Sequence, residues 1–167
     1  VLDSCWCSSH IFALALSNGR VALYKVSLLH SDHQSFDSSA RSSYDVTLIE
    51  DLESTVGSIT LSIDYFNNKI VTSDSSGRLC LFTKEMIKDE PGKQRKSWKA
   101  HDFEAWVASC NKHDENIIFS GGDDCFLCLW DLRMELTKAT FSRRHDMGVC
   151  SIQSHPTNGN IFSTGSY

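Results

Sequence analysis

The most regular stretch of the sequence reads Ile117-Ile118-Phe119-Ser120, then Gly121-Gly122-Asp123-Asp124, and then Phe126-Leu127-Cys128-Leu129-Trp130 after Cys125. Two short apolar runs joined by Gly and Asp residues are typical of two β-strands connected by a tight turn. Gly121 and Gly122 are interpreted as part of the turn, because glycine adopts turn conformations without steric cost. The stretch therefore predicts a β-hairpin.

Two earlier stretches repeat this pattern. In the first, Asn18-Gly19 separates Phe12 to Leu16 from Val21 to Val26, and Asn-Gly predicts a two-residue hairpin turn. In the second, Ser76-Gly77 separates Ile70 to Ser73 from Leu79 to Phe82. Alignment of the three turns places Tyr24, Phe82 and Trp130 at equivalent positions, which indicates an internal repeat.

Further strands complete each repeat. A strand is predicted before each hairpin at Leu2 to Trp6, Ile59 to Tyr65, Val107 to Asn111 and Val149 to Gln153. Outer strands are predicted at Val46 to Glu50 and Lys138 to Phe141, and insertions at Ser27 to Tyr44 and Glu85 to Lys96. Such units cannot bury both faces alone, so they are expected to stack around an axis.

The predicted fold is therefore an all-β β-propeller fragment, with approximate blades at 1–52, 56–101, 104–143 and 147–167, the last of them incomplete. The chain starts at Val1 rather than Met and stops at Gly165-Ser166-Tyr167, which is interpreted as a turn. We therefore expect the sequence to be part of a longer protein.

The third repeat resembles the ending of a WD repeat. Trp130-Asp131 follows the Gly-Gly-Asp-Asp motif, and His101 lies upstream, where WD repeats place a Gly-His dipeptide. The resemblance implies a hydrogen-bonded chain of His101, Ser120, Asp124 and Trp130 across the blade. His145 and Thr164 are the corresponding residues of the next blade.

Composition and charge exclude several classes of protein. The net charge is −5, and the one basic stretch, 93–96, is interpreted as a solvated loop, so no direct contact with nucleic acid is expected. No apolar stretch is long enough to span a membrane. The seven Cys are an odd number and lack paired zinc spacing, which favours reduced thiols in a cytoplasmic protein and no metal site.

Three stretches resemble the WD-repeat diphthine methyl ester hydrolases of diphthamide biosynthesis, also called the diphthine methyltransferase family. They are Ser97 to Trp106, Ser120 to Asp124 and Arg144 to Ser154. The resemblance implies an esterase, working without a cofactor, that demethylates diphthine methyl ester on translation elongation factor 2. The modified histidine of that substrate bears a trimethylammonium group.

The loops that carry this resemblance should converge on one face of the propeller, and they supply the candidate site residues. Ester hydrolysis needs a base and donors to the developing oxyanion. The catalytic candidates are His145, Glu104 and Asp123, which we expect to line one polar pocket. The substrate-binding candidates are the oxyanion donors Arg144 and the amides of Gly121 and Gly122, and the aromatic residues Phe103 and Trp106, which suit a quaternary ammonium.

Structural and non-enzymatic interpretations stand beside these hypotheses. Trp98 and Trp130 are expected to be core residues, and Trp106 fits a buried strand start as well as a cation site. Cys150 and Ser151 are possible nucleophiles, one of which should point into the blade. The main alternative function is a non-enzymatic WD-repeat scaffold for protein–protein interaction. A methyltransferase is disfavoured because no Gly-rich nucleotide loop follows a strand.

Overall fold

The computed structural model describes residues 1–29, 43–83 and 95–167. The first sheet consists of β1 (Asp3–Trp6), β2 (Ile11–Ala15), β3 (Arg20–Leu29) and β4 (Ser43–Glu53). The second consists of β5 (Thr60–Phe66), β6 (Lys69–Asp74), β7 (Arg78–Thr83) and β8 (Lys96–Lys99), and the third of β9 (Ala105–Cys110), β10 (Ile117–Gly122), β11 (Phe126–Asp131) and β12 (Phe141–Arg144). A two-stranded sheet of β13 (Val149–Ser154) and β14 (Phe162–Ser166) follows. None of the described ranges contains a helix long and apolar enough to cross a membrane.

The four sheets are stacked as blades, with the first strand of each sheet innermost. β1 contacts β5, β5 contacts β9, and β9 contacts β13, so the first strands form a continuous inner wall. A hydrophobic core lies between neighbouring blades. Between the second and third blades, the buried rings of Trp98 and Trp130 meet edge to face with centroids 5.8 Å apart. The predicted all-β WD-repeat β-propeller fragment is confirmed, and so are these two core tryptophans.

The strand register confirms the internal repeat. In each complete blade, one aromatic residue of the third strand pairs with the second residue of the second strand, as Tyr24 with Phe12, Phe82 with Ile70 and Trp130 with Ile118. Phe82 and Trp130 are buried, whereas Tyr24 is half-buried and stacks on Phe12. The three aromatic residues therefore occupy equivalent places.

The outer strands differ from prediction. β4 begins earlier than Val46, because Ser43 and Tyr44 pair with Leu29 and Leu28 and so lengthen the ribbon formed with β3. The insertion expected at Ser27 to Tyr44 is therefore too long, and 30–42 lie outside the described residues. The strand predicted at Lys138 to Phe141 is wrong, because only its last residue pairs with β11 and the strand continues to Arg144.

The outer strand of the second blade, β8, was not predicted at all. Its sequence, Lys96 to Lys99, contains a single apolar residue, Trp98, so it carries no alternating pattern. The insertion expected at Glu85 to Lys96 overlaps this strand at its last residue, and 84–94 lie outside the described residues. Of the basic stretch that was interpreted as a solvated loop, Arg95 is ion-paired with Glu53 at 2.8 Å.

The turns between second and third strands share one geometry that also differs from prediction. In each turn the backbone N–H of the fourth residue donates a hydrogen bond to the carbonyl oxygen of the first. The three pairs are Gly19 and Leu16, Gly77 and Asp74, and Cys125 and Gly122. These fourth residues have φ angles of 79°, 78° and 69°. The hairpins thus contain a three-residue loop whose last residue is left-handed, and the predicted two-residue Asn-Gly turn is wrong.

We expect Cys125→Gly to stabilise the full-length protein by roughly 0.5–1 kcal/mol, because a side chain in the left-handed region is strained and glycine is not. The measurement is the midpoint of chemical denaturation. Cys125→Ala is the matched control, since it removes the thiol but keeps the Cβ atom and should give no gain. Equal stability of the two variants would contradict the strain.

Candidate functional site

Four side chains of the third blade form a buried hydrogen-bonded chain. The Trp130 indole N–H donates to Ser120 Oγ at 2.9 Å, and Ser120 Oγ lies 2.8 Å from His101 Nε2. His101 Nδ1 lies 2.9 Å from Asp124 Oδ1, and the His101 side chain is fully buried. The predicted chain is confirmed, and His101 is a structural residue of the blade.

Asp124 is ionised at the outer end of this chain. Burial alone would raise its pKa, but hydrogen bonds from His101 and from the backbone amides of Phe126 and Asp102 outweigh burial and lower the pKa. Because an ionised carboxylate only accepts hydrogen bonds, Nδ1 of His101 is a donor here. Asp124 therefore orients the ring that holds Ser120 and Trp130.

Gly121 and Gly122 both belong to β10, and Gly122 is also the first residue of the turn, so the prediction as a turn residue is wrong for Gly121. Gly121 pairs with Leu127 on one side and Val107 on the other. In a strand between two neighbours, the backbone amides form the hydrogen bonds of the sheet. Their small size has a packing reason instead. A Cβ atom on Gly122 would lie 2.6 Å from the His101 ring, which the hydrogen-bonded chain holds in place.

A β-bulge takes Trp106 out of the strand ladder. Gly121 pairs with Val107 and Gly122 with Ala105, which leaves Trp106 without a partner across the strand. The same irregularity occurs in the second and fourth blades, at Leu61 in β5 and Cys150 in β13. Bulges commonly re-aim a side chain next to a functional site.

The bulged Trp106 is part of a polar cluster at the junction of the third and fourth blades. Its indole N–H donates to Asp123 Oδ1 at 3.0 Å, and the hydroxyl of Tyr167 donates to the same oxygen. We call Trp106, Asp123 and Tyr167 the seam cluster. Trp106 is 37% exposed and Tyr167 61% exposed, so Trp106 is not the buried strand start that was considered.

The seam cluster carries negative charge. Hydrogen bonds from Tyr167 and Trp106 hold the pKa of Asp123 below its usual range, and the same carboxylate raises the pKa of Tyr167. Among the described residues, no Lys or Arg contributes to the shift of Asp123. Its lowered pKa makes Asp123 a weak general base, whereas its negative charge makes it a suitable partner for a cation.

Glu104 lies beside this cluster, whereas the backbone of Phe103 packs on the second blade. The backbone amide of Asp123 donates to the carbonyl of Glu104 at 2.8 Å, and the Glu104 side chain is half-buried. Phe103 is 61% exposed, and its carbonyl oxygen packs so closely on Gly77 that a Cβ atom there would lie 2.2 Å away. The recorded contacts therefore join Glu104 and Trp106 to Asp123, but not Phe103.

His145 has the place in the fourth blade that His101 has in the third. Its backbone N–H donates to Cys125, as that of His101 does to Gly77, and its Nε2 lies 3.3 Å from Thr164 Oγ1, as Nε2 of His101 lies 2.8 Å from Ser120 Oγ. Unlike His101, it is only half-buried. These contacts favour a structural histidine, and a shared pocket with Glu104 and Asp123 stays a prediction.

His145 also lines a groove of about 540 Å³ between β12 and β14, whose walls include Arg144, Leu127, Phe141 and Phe162 but neither Glu104 nor Asp123. In the third blade, the equivalent space between the counterparts Leu79 and Ile118 belongs to the core that holds Trp130. The groove thus has the position of a packing site in the repeat. Arg144 is exposed at the end of β12, opposite Phe126.

The cysteine side chains offer one exposed thiol. Burial raises the pKa of Cys80, Cys110 and Cys128 to about 12, so these thiols are protonated and unreactive. The expectation that Cys150 or Ser151 points into the blade is wrong, because the bulge at Cys150 interrupts the alternation and both residues are exposed. Within the described residues, no group of three His, Cys, Asp or Glu could hold a metal ion.

Sequence reasoning missed Tyr167. In register, Thr164 and Gly165 correspond to Ser120 and Gly121, so Tyr167 stands at the position of Asp123 one blade earlier. Gly165 and Ser166 lie in β14 rather than in the turn that was predicted. Extending the repeat alignment to the fourth blade would have placed Tyr167 on the same face as Asp123.

Comparison with known proteins gives relatives for the whole chain, although no protein-family model matches it. A "Diphthine methyltransferase homolog" of Dictyostelium discoideum is 35% identical over 100% of this chain and 46% of its own length. The "Diphthine methyltransferase" of Mus musculus is 36% identical over 100% of this chain and 36% of its own length. The chain thus spans less than half of these relatives.

Comparison of structures supports the fold alone. A chain from a crystal structure of the mitotic checkpoint complex superimposes with a TM-score of 0.70 at 16% identity, over 94% of this chain and 42% of that one.

The human "Diphthine methyltransferase" is 46% identical over 59% of this chain and 22% of its own length. These sequence similarities confirm the predicted resemblance of the chain to the diphthine methyltransferase family.

Proposed function

We propose that the protein acts in diphthamide biosynthesis as an esterase that demethylates diphthine methyl ester on translation elongation factor 2. The observation that carries the proposal is the 35–36% identity, over the whole chain, to proteins named diphthine methyltransferase or its homolog. The seam cluster and Glu104 supply side chains suited to a cationic ester. Elongation factor 2 is the proposed partner and the cytoplasm the proposed location, which seven free thiols favour.

Glu104 is the proposed general base. It takes a proton from water, the water oxygen attacks the ester carbonyl carbon, and the bond to the methoxy oxygen breaks. The protonated carboxyl then returns the proton to the leaving oxygen, so that the products are methanol and a carboxylic acid, which releases its own proton to water and becomes the free carboxylate. Asp123 suits this role less, because its lowered pKa makes it a weaker base.

Arg144 is the proposed donor to the oxyanion. The alternative donors, the amides of Gly121 and Gly122, lie in a central strand of the third blade. Arg144 immediately precedes His145, whose backbone is bonded to the turn that follows Asp123. A guanidinium has N–H donors and a fixed positive charge, both of which stabilise a developing oxyanion.

The test is incubation of the full-length protein with elongation factor 2 that carries the methyl ester. Release of methanol, with loss of one CH₂ from the modified residue and no need for a methyl donor, is the expected result. Methyl gain that depends on S-adenosylmethionine would replace the esterase with a methyltransferase. Binding of the factor without either change would leave the scaffold function.

A further inference from the structure

We propose that the seam cluster of Trp106, Asp123 and Tyr167 is a binding site for a quaternary ammonium group. The site would hold the trimethylammonium end of the substrate while the ester lies toward Glu104. In this form the inference rests on the proposed function. Binding of the cation itself does not, because it is a property of three described side chains and needs no turnover.

The first support is charge. Asp123 is an ionised carboxylate, and its two recorded donors, the indole of Trp106 and the phenol of Tyr167, are both neutral groups that reach Oδ1. Neither donor neutralises the charge. The carboxylate of Asp124 further increases the negative potential, although its own hydrogen bonds go to His101 and to backbone amides. A cation bound at the seam would therefore be attracted by a negative charge that neither hydrogen-bond donor neutralises.

The second support is the pair of aromatic side chains around that charge. Cations are attracted to the faces of Trp and Tyr within about 6 Å of the ring centre. Both rings are partly exposed, and both are tied at their polar edge to one carboxylate oxygen, which leaves their apolar surfaces for a ligand. The arrangement joins two π-systems and one negative charge at a single point.

The third support is that the rings are held in place before any ligand arrives. Tyr167 packs on Gly148, where a Cβ atom would lie 2.7 Å from the Tyr167 hydroxyl oxygen and 2.8 Å from its ring. The backbone N–H of Tyr167 also donates to the Gly148 carbonyl at 3.4 Å. Trp106 is fixed by its bulge and by Asp123. Such preorganisation lowers the entropic cost of binding.

The seam cluster meets the needs of a quaternary ammonium. Oδ1 of Asp123 already accepts two hydrogen bonds, and the carboxylate keeps its negative charge. A quaternary ammonium has no N–H to donate. It needs only charge and apolar contact, which the seam cluster provides.

The experiment measures tetramethylammonium binding to the full-length protein by calorimetry. We expect Trp106→Ala, Tyr167→Ala and Asp123→Asn each to weaken binding by roughly 2- to 30-fold, the range that corresponds to a cation–π contact of about 0.5–2 kcal/mol. Tyr167→Phe keeps the ring and should lose less than Tyr167→Ala. Trp6→Ala is the matched control, because Trp6 is 63% exposed on β1 of the first blade.

Absence of tetramethylammonium binding to the wild-type protein would overturn the proposal, and so would unchanged affinity in the three seam variants. If Trp106→Ala or Tyr167→Ala lowers the melting temperature, Trp106→Leu or Tyr167→Leu takes its place, because leucine keeps apolar bulk but has no aromatic face. The proposed function fails separately. If the protein binds the cation through the seam cluster but releases no methanol, the cation site is supported and the esterase is contradicted. If the protein releases methanol but the seam variants bind the cation with full affinity, the esterase is supported and the cation site is contradicted.

Discussion

Replacement of His101 by alanine is expected to lower the free energy of unfolding of the full-length protein by about 3–5 kcal/mol, the usual cost of removing one member of a buried, charge-assisted pair. The imidazole contacts both Ser120 and Asp124, and its loss leaves Ser120 and the Trp130 indole in the interior without the rest of their chain. The measurement is chemical denaturation, followed by the change in tryptophan fluorescence.

Asp124→Ala should cost less, about 1–3 kcal/mol, because this carboxylate lies at the exposed end of the chain. His10→Ala is the control, since the His10 side chain is exposed and, among the described residues, is hydrogen-bonded to Ser9 alone. Melting temperatures of His101→Ala and Asp124→Ala equal to that of the wild type would show that the chain does not support the blade.

The same chain should make the protein sensitive to acid. The pKa of Asp124 is lowered in the folded state, so its contribution to stability is complete above the ordinary value of about 3.9 and is lost as the pH falls through the lowered pKa. Asp124→Ala should therefore flatten the fall in stability below about pH 4. An unchanged acid slope would contradict the ionised state of Asp124.

Glu104→Gln is expected to lower the turnover of diphthine methyl ester by roughly 10²- to 10⁴-fold, the contribution of a positioned general base, while the melting temperature stays unchanged. The amide keeps the size of the side chain but accepts no proton. Methanol release under saturating substrate is the measurement. Glu135→Gln, at an exposed position after β11, is the matched control and should keep full activity. Full turnover in Glu104→Gln would remove this residue as the base.

His145→Ala separates the two roles that remain for this histidine. If His145 were the base, turnover should fall by the same factor of about 10²–10⁴ at unchanged stability. The contact of its side chain with Thr164 leads us to expect the other outcome, a lowered melting temperature similar in kind to that of His101→Ala. Turnover measured at a temperature where both proteins remain folded distinguishes the two.

The sequence was sufficient for the frame of the propeller because the frame depends on local signals. Turn residues, alternation and one aromatic position per blade recur at fixed offsets, and the chain from His101 to Trp130 follows from its motif alone. The outer strands were placed poorly, since β8 and β12 lie at the periphery and carry little apolar pattern. Their positions are determined by pairing with β7 and β11.

The candidate site was predictable only in part. Asp123, Glu104 and Trp106 were named from their loops, but their arrangement depends on a bulge that no local signal in β9 announces. Tyr167 was missed because its partner Asp123 lies 44 positions away in another blade. The close approach of Gly122 to the His101 ring and of Gly121 to Val149 likewise depends on tertiary packing. Sequence reasoning could therefore name the two glycines but not these contacts.

The recurring bulge of the inner strands has a consequence for how such a protein diverges. Leu61, Trp106 and Cys150 have chemically unrelated side chains, yet each occupies the position that the ladder skips. Substitutions there disturb neither the cross-strand register nor the alternation that fills the blade cores. We therefore expect the fold to tolerate substitutions at this one position of the inner wall in the second, third and fourth blades, so that its side chain can change without loss of the propeller frame.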